Sequence, residues 1–215
     1  MKNLFLDLAS HQGILACVSD DRVASSFSVD HRIDDAALVP HIEALLKSAG
    51  WSYADLTHLA CVVGPGGFTS LRVAVALGNA VGSQLGIPVC GIHLSDVYRL
   101  RVAGCGLRDP ETRNSKLETF VWLHSTKKHE LFVRGFGSLV ADFPEPQCVT
   151  ITDLLPKLKK GIQWMGELIP EQRQVINGVG MMEAALRPLN EVLPEFLKNQ
   201  KYTKETLVPW YGRGW

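Results

Sequence analysis

Short apolar runs alternate with polar turn residues near the start of the chain, which is the pattern of paired strands followed by a helix. Residues 4–8, 14–19 and 23–29 have strand character and are separated by turn residues. After them, apolar side chains recur at helical spacing, at Leu38, Ile42, Leu45, Leu46 and Ala49. This stripe predicts a helix with Asp34 or Asp35 as its N-terminal cap.

A second helix is predicted between two buried strands, at residues 58–63 and 88–92. This helix spans about residues 70–85 and follows a glycine-rich segment. A strand, a helix and a strand in this order favour a right-handed parallel unit in a mixed sheet. Residues 73–92 carry no charge, but the glycines, asparagine and proline among them predict a helix, a turn and a strand rather than a membrane span. We therefore expect no membrane association.

The second half of the chain repeats the pattern more weakly. It predicts strands at residues 118–124, 130–136, 162–165 and 175–176, and helices at residues 152–160 and 180–197. The whole pattern predicts an α/β protein with two lobes of similar plan, an N-terminal lobe of residues 1–100 and a C-terminal lobe of residues 101–215. The similar plan indicates an ancient duplication, although no sequence repeat is visible.

Composition narrows the class of protein. Hydrophobic residues make up 46% of the 215 residues and charged residues 20%, with a mean hydropathy of +0.06, which excludes a disordered chain. The 22 basic residues balance the 22 acidic ones, so the chain lacks the basic surplus of a stand-alone nucleic-acid binder. Five scattered cysteines and an early acid, Asp7, predict a cytoplasmic protein without a signal peptide.

The most distinctive segment is residues 64–72, which read Gly-Pro-Gly-Gly-Phe-Thr-Ser-Leu-Arg. Glycine lets a ligand or a second backbone approach closely, and a helix N-terminus attracts anions. The segment is therefore a candidate nucleotide, phosphate or partner-contact loop, formed by Gly64, Gly66, Gly67 and Thr69. A tight turn between strand and helix is the alternative, and spacing alone favours it, because the Lys-Ser/Thr of a Walker A loop is missing.

Asp7 stands at the end of the first predicted strand, before a turn. An acid in this position can hold a magnesium-bound water near phosphates, so Asp7 joins the candidate phosphate loop. The alternative is an acid that stabilises the turn. Residues 8–10 supply no glycine around a metal, which disfavours a kinase or an ATPase.

The helix after the loop has one face of small residues, because Ala74, Gly78 and Gly82 are spaced four residues apart. Each glycine costs a helix about 1 kcal/mol relative to alanine, which is tolerable where close packing compensates. This face could lie on the chain's own sheet or against a helix of another subunit. For the second case, the candidate partner interface consists of Leu38, Ile42, Leu45, Arg72, Ala74, Val75, Gly78 and Gly82.

Local spacing shows no further chemistry. The seven histidines form no H-x-x-x-H or H-E-x-x-H pair, and no G-x-S-x-G motif is present. We predict neither a set of catalytic residues nor a metal site.

The motifs are similar to those of a known family. Residues 64–72 resemble the G-P-G-S-F-T-G-L-R signature of the bacterial TsaB (YeaZ) family. Residues 4–9 resemble its opening strand, and residues 38–40 its L-L-P helix. Later segments also resemble the family, at residues 86–92, 129–132 and 209–213. The resemblance is specific over residues 1–95 and thin afterwards.

This resemblance implies an actin/Hsp70/sugar-kinase-like (ASKHA) fold with a mixed five-stranded sheet flanked by helices in the first lobe and a reduced second lobe. It implies a non-catalytic dimerisation subunit for forming threonylcarbamoyladenosine at the tRNA adenosine next to the anticodon. Such a subunit pairs with a TsaD-like catalytic subunit through the two helices named above and works with a TsaE-like ATPase. It requires no cofactor, although ATP or ADP with magnesium could bind at the cleft or subunit junction. It could form a homodimer alone, and it meets tRNA only through the complex.

At three positions the chain departs from the family pattern, and each change removes a group that could take part in polar or metal-binding chemistry. Asp34 stands where the family usually has histidine, Ser70 replaces a glycine of the signature, and Ser125 replaces an acid. We therefore expect a divergent member or altered nucleotide binding. The second hypothesis is a stand-alone enzyme, either a nucleotide hydrolase or kinase that uses Asp7 and the glycine-rich loop, or a peptidase. No nucleophile–base pair or zinc ligand set is visible for a peptidase.

Overall fold

The computed structural model describes residues 1–30, 35–102 and 119–212, and the chain divides into two compact units. The first unit combines Met1–Leu94 with Pro188–Tyr211, and the second contains Ser95–Arg187. Asp34 and Cys105 lie outside the described residues, so the predicted cap at Asp34 is not among the features described below.

The first unit is built on a five-stranded mixed sheet. Its strands are β1 (Asn3–Asp7), β2 (Gln12–Val18), β3 (Val23–Asp30), β4 (His58–Gly64) and β5 (Val89–His93). The order across the sheet is β3-β2-β1-β4-β5. The first three strands pair antiparallel, whereas β1, β4 and β5 are parallel. This sheet confirms the predicted mixed arrangement and the crossover between β4 and β5.

Two helices cover one face of this sheet, α1 (Asp35–Ser48) and α2 (Phe68–Leu85). Their apolar stripes share a core with side chains that alternate along β1, β2 and β4, which places both helices on the same face. Gly86 ends α2 in the left-handed region, at a φ of 64°, as the predicted glycine turn requires.

The second unit contains a second five-stranded mixed sheet. Its helices are α3 (Leu94–Arg101), α4 (Ile151–Leu154) and α5 (Pro170–Gly178), and its strands are β6 (Phe120–Lys127), β7 (Glu130–Phe136), β8 (Gln147–Thr150), β9 (Gln163–Glu167) and β10 (Met182–Glu183). The order β10-β9-β6-β7-β8 repeats the plan of the first sheet, with an antiparallel trio beside a parallel trio. The outer strands are short, which fits a reduced second lobe.

The last helix, α6 (Leu189–Lys198), belongs to the first unit. The segment after it is fixed to the sheet by main-chain hydrogen bonds, because Thr203 exchanges two with Val89 and the Trp210 N–H donates to the Val63 carbonyl. The two units divide after Leu94 and again after Arg187. The predicted lobes, residues 1–100 and 101–215, differ from this mainly because Pro188–Tyr211 returns to the first unit.

Two predicted elements of the second half are wrong. Residues 175–176 were predicted as a strand but lie in α5, which Pro170 begins at a position where proline's missing N–H is harmless. Residues 180–197 do not form one helix, because β10 and α6 replace it, with Pro188 as the cap of α6. The sequence pattern also missed α3 and β8. Within the described ranges, no helix has both the length and the apolar character needed to cross a membrane.

Candidate functional site

The glycine-rich loop joins β4 to α2, and two of its glycines lie against backbone from other parts of the chain. Gly64 has a φ of 139°, and a Cβ there would overlap the carbonyl oxygen of Trp210. A Cβ on Gly66 would lie 2.6 Å from the Cα of Ala9. Neither position accepts a side chain, because the C-terminal segment and the β1–β2 turn approach too closely. The geometry at these two glycines therefore supports a tight turn between strand and helix rather than a ligand-binding loop.

Asp7 stabilises the turn between β1 and β2. Its Oδ1 accepts hydrogen bonds from the backbone N–H groups of Ala9 (3.0 Å) and Ser10 (3.1 Å), and its Oδ2 accepts one from the Ser10 hydroxyl (2.5 Å). The residue is 2% exposed. A buried carboxylate with these three donors matches the turn-acid alternative.

The exposed part of the loop lies where α2 begins. Gly67 and Thr69 are exposed, and Phe68 between them is 55% exposed. The Phe68 ring centroid lies 5.1 Å from that of Tyr211 and 5.3 Å from the Arg72 guanidinium, a distance at which a cation is attracted to an aromatic face. Sequence reasoning missed this cluster: the spacing of Phe68 and Arg72 predicts their contact, but nothing local places Tyr211.

Seven of the eight candidate interface residues do not form an exposed surface. Leu38, Ile42, Leu45, Ala74 and Val75 belong to the core of the first unit. A Cβ on Gly78 would lie 3.2 Å from the Leu59 side chain of β4, and Gly82 is packed against β5. The small-residue face therefore lies on the chain's own sheet, the alternative that the sequence left open, and only Arg72 of the eight is exposed.

The opposite side of the same two helices faces outward. It presents Phe68, Arg72, Ala76 and Ala80 from α2, and Val39, which is 43% exposed, from α1. We call these five residues the outer helical surface. Two of them, Phe68 and Val39, are large apolar side chains exposed to solvent.

The second unit holds buried polar groups that the sequence did not reveal. His124 Nδ1 lies 3.4 Å from Glu167 Oε2, because β6 and β9 pair in parallel with these two residues in register. Ser125, which replaces an acid of the family pattern, donates a hydrogen bond to Gln172 Oε1 (2.6 Å) and accepts one from the Ile169 N–H (2.8 Å). Ser125 thus has a structural role in joining β6 to α5.

Burial makes three cysteines poor nucleophiles. Desolvation raises the pKa of the Cys17 and Cys61 thiols, and it raises the pKa of Cys90 to about 11. All three side chains are buried in the first unit, whereas Cys148 is half-buried. Because the thiolate is the reactive form, these three cysteines are expected to be unreactive near neutral pH.

Comparisons of the sequence with known proteins match parts of the chain. A family model described as TsaD, tRNA N6-adenosine threonylcarbamoyltransferase, matches residues 31–104. An uncharacterized Mycobacterium tuberculosis protein is 42% identical over 65 residues, which are 30% of this chain and 31% of that protein. The tRNA threonylcarbamoyladenosine biosynthesis protein TsaB of Escherichia coli is 30% identical over 94 residues, 43% of this chain and 40% of that protein. The matches thus span about a third of the length of these curated relatives.

Solved structures match the whole chain in fold. A Pseudomonas aeruginosa protein described as similar to the peptidase YeaZ aligns with a TM-score of 0.65 and 17% identity over 99% of both chains. YeaZ from Pseudomonas aeruginosa aligns with a TM-score of 0.62 and 16% identity, over 98% of this chain and 99% of that one. The likeness confirms the expected fold class, and the chain is similar in sequence to TsaD and TsaB proteins over part of its length.

The packing of α2 on its own sheet is tested by Gly78→Leu. We expect this change to lower the free energy of unfolding by about 3 kcal/mol, because a large side chain must be forced between α2 and β4. The measurement is urea denaturation followed by circular dichroism. The control is Ala76→Leu on the exposed side of α2, with an expected change within about 0.5 kcal/mol. Equal stability of both variants would contradict the packing.

The structural role of Asp7 is tested by Asp7→Ala. This change leaves two buried backbone N–H groups without their acceptor, so we expect a loss of about 2–4 kcal/mol in unfolding free energy. The matched control is Asp21→Ala in the exposed β2–β3 turn, which should cost no more than about 0.5 kcal/mol. If thermal denaturation shows Asp7→Ala to be as stable as the unaltered protein, the carboxylate does not hold the turn.

Proposed function

We propose that this chain is a non-catalytic scaffold subunit in the biosynthesis of tRNA threonylcarbamoyladenosine. In this role it pairs with a TsaD-like catalytic subunit and acts beside a TsaE-like ATPase, and it meets tRNA only through that assembly. The observation that carries the proposal is the similarity to Escherichia coli TsaB over 94 residues, 43% of the chain. The TsaD family model supports it, because the residues 31–104 that it matches include α1, the glycine-rich loop and α2.

The outer helical surface is the proposed contact with the catalytic subunit. Seven of the eight residues first expected there are buried and Arg72 alone is exposed, so a partner that packs on α1 and α2 must contact their outward side. Phe68 and Val39 offer apolar area, and Arg72 offers a cation held over the Phe68 ring. Aromatic residues and arginine are the types that contribute most to binding at protein interfaces. A homodimer of the free chain would use the same surface.

The proposal requires no bound cofactor. ATP or ADP with magnesium at this loop would have to contact Gly67 and Thr69, because Gly64 and Gly66 are packed against the chain's own backbone and Asp7 is engaged in its turn. That is a smaller set of groups than a phosphate-cradling loop provides. We therefore place any nucleotide contact at the start of α2 rather than within the loop.

The alternative is an enzyme that acts alone, as one structural relative is described as similar to a peptidase. A hydrolase or kinase built on Asp7 would need that carboxylate to be available to a metal, but three donors already bind it. A cysteine peptidase would need an accessible thiolate, whereas burial raises the pKa of Cys17, Cys61 and Cys90. Both observations count against an enzyme built on Asp7 or on these three cysteines.

The function is tested by expressing the chain in a bacterial strain depleted of its own TsaB. Mass spectrometry of tRNA nucleosides should then show threonylcarbamoyladenosine restored to at least about half its normal level. A well-folded, expressed chain that restores none would contradict the proposal. Magnesium-dependent ATP hydrolysis by the isolated chain that is lost in Asp7→Asn would favour the enzyme instead.

The interface is tested by Arg72→Glu and by Phe68→Ala. We expect each change to weaken binding of the catalytic subunit from the same organism at least ~10-fold in calorimetry, because it removes an exposed anchor. Circular dichroism should show an unchanged fold. The control is Lys198→Glu, a charge reversal at an exposed position of α6. If both surface variants bind as tightly as the control, the partner contacts another surface.

Cysteine reactivity separates the scaffold from a thiol enzyme. At pH 8 a thiol with a pKa of about 11 is roughly 0.1% thiolate, so Cys90 should react with iodoacetamide at least ~100-fold more slowly than Cys148. The raised pKa also means that the rate at Cys90 should rise with pH up to about 11 while the fold persists. Peptide mapping by mass spectrometry measures both sites. Rapid labelling of Cys61 or Cys90 at pH 7 would contradict their burial.

A further inference from the structure

Two arginines of the second unit lie over one aromatic ring. The guanidinium carbons of Arg99, in the last turn of α3, and of Arg134, in β7, are 5.5 and 5.3 Å from the ring centroid of Phe136. Phe136 is also stacked on Phe120, with the ring centroids 5.0 Å apart and the ring planes at 27°. Two nearly parallel rings at this distance overlap, so Phe120 covers one face of Phe136. The two guanidiniums therefore share the other face.

The packing of α3 on β7 explains why the two arginines meet. Phe136 stands two residues after Arg134 in β7, so both side chains project from the same face of the strand. Arg134 Nη1 donates hydrogen bonds to Ser95 Oγ and Asp96 Oδ1, both at 2.8 Å, which fixes the start of α3 beside that face. Arg99 lies about one helical turn further along α3, and its guanidinium reaches the Phe136 ring.

Among the described residues, one acid pairs with these two cations. Asp96 Oδ1 lies 2.8 Å from Arg134 Nη1. In contrast, no described residue forms a hydrogen bond or an ion pair with the Arg99 guanidinium. The Arg134 side chain is 18% exposed and Arg99 is half-buried. Arg99 therefore loses part of its hydration without gaining an acidic partner, beside a second positive charge, and this arrangement favours an anion.

A role in stabilising the end of α3 is the alternative for Arg99. The dipole of a helix favours cations near its C-terminus, and Arg99 and Arg101 both lie in the last turn of α3. Arg101 has a structural contact of this kind, because its Nε donates a hydrogen bond to the Arg187 carbonyl at 3.0 Å. Arg99 instead lies beside a second guanidinium, where repulsion offsets the benefit of the dipole. An anion between the two guanidiniums would remove that repulsion.

The chemistry of the pair fits a phosphate group. The planar fork of N–H donors in arginine matches the oxygens of carboxylates and phosphates. Both hydrogen bonds of Arg134 to described residues use Nη1, so its Nε and Nη2 can join the Arg99 fork in binding one anion. A carboxylate or a phosphodiester has two free oxygens, enough for one fork. Inorganic phosphate and phosphate monoesters have at least three, so two forks can bind them together.

We propose that Arg99 and Arg134 bind a phosphate group with at least three free oxygens, over the face of Phe136 that Phe120 leaves open. Arg99 supplies a complete fork, Arg134 supplies the donors that Ser95 and Asp96 do not use, and the ring holds both guanidiniums in place. This site lies in the second unit and includes neither the glycine-rich loop nor the outer helical surface. The inference therefore stands or falls independently of the proposed function.

The probes for this site are inorganic phosphate, methyl phosphate and dimethyl phosphate. Each is titrated into the full chain at constant ionic strength, which keeps general screening unchanged, and the arginine Nε–H groups are followed by ¹⁵N NMR. We expect shifts at Arg99 and Arg134, and at least ~10-fold weaker binding of dimethyl phosphate, which has only two free oxygens. Methyl phosphate that binds at least as tightly as inorganic phosphate assigns the site to esters, and weaker binding assigns it to the free ion.

Two results of these titrations would overturn the proposal. The first is the absence of a shift at both arginines with tens of millimolar inorganic phosphate. The second is dimethyl phosphate that binds as tightly as the other two probes, because a site that needs two forks cannot be satisfied by two oxygens.

The role of Arg99 is tested on the protein itself. Arg99→Gln should bind inorganic phosphate at least ~10-fold more weakly, because it removes one of the two forks. The matched control is Arg22→Gln, which makes the same change in net charge at an exposed position of the first unit and should bind within about twofold of the unaltered protein. If the two variants bind equally, general charge attraction explains the binding and the proposal fails.

Arg99→Lys separates the fork from the charge and covers the case in which Arg99→Gln does not fold. Lysine keeps the positive charge but lacks the planar fork, so we expect at least ~3-fold weaker phosphate binding with an unchanged circular dichroism spectrum. Phosphate should also raise the melting temperature of the unaltered protein more than that of Arg99→Lys. Equal affinity and equal stabilisation in both proteins would contradict a site built on the Arg99 fork.

Discussion

The close approach of α2 to the first sheet is the constraint on which the arrangement of this unit depends. Ala74, Gly78 and Gly82 place almost no side chain between the helix and the strands. The space left open is shared with the C-terminal segment, because a Cβ on Gly78 would lie 3.5 Å from Leu207. The Asn79 side chain then bonds both main-chain groups of Leu207, at 2.8 and 3.0 Å. One set of glycines thus fixes the helix, the sheet and the returning chain together.

This packing decides which residues remain for a partner. With its small side chains turned inward, α2 directs Arg72 and Phe68 into solvent, and Tyr211 reaches Phe68 because the returning segment ends there. Close backbone packing also explains the glycine-rich loop. Positions 64 and 66 require glycine because backbone from other parts of the chain lies against them. The segment resembles a ligand-binding loop in sequence, but it is mainly a tight turn between β4 and α2, and only its end at Gly67–Thr69 is exposed.

The first five strands and two helices could be predicted because the strands are apolar runs bounded by turn residues and α1 carries an apolar stripe of helical period. The orientation of α2 could not, since a helix with a smooth side and alanines elsewhere fits two neighbours equally well. The pairing of His124 with Glu167 depends on the register of β6 against β9, which no local spacing reveals. Around Val175 the sequence misled, because two adjacent β-branched residues resemble a strand although Pro170 has already begun a helix.

The return of Pro188–Tyr211 to the first unit has a consequence for how the protein is made. On the ribosome, β1 to β5 emerge early, but α6 and the segment that bonds Val89 and Val63 arrive only after the whole second unit has been synthesised. Until then one side of the first sheet is without its final cover. The first unit therefore stays incompletely covered until residues more than a hundred positions further along have been translated. A factor that binds its exposed apolar surface during that interval would raise the yield of native protein.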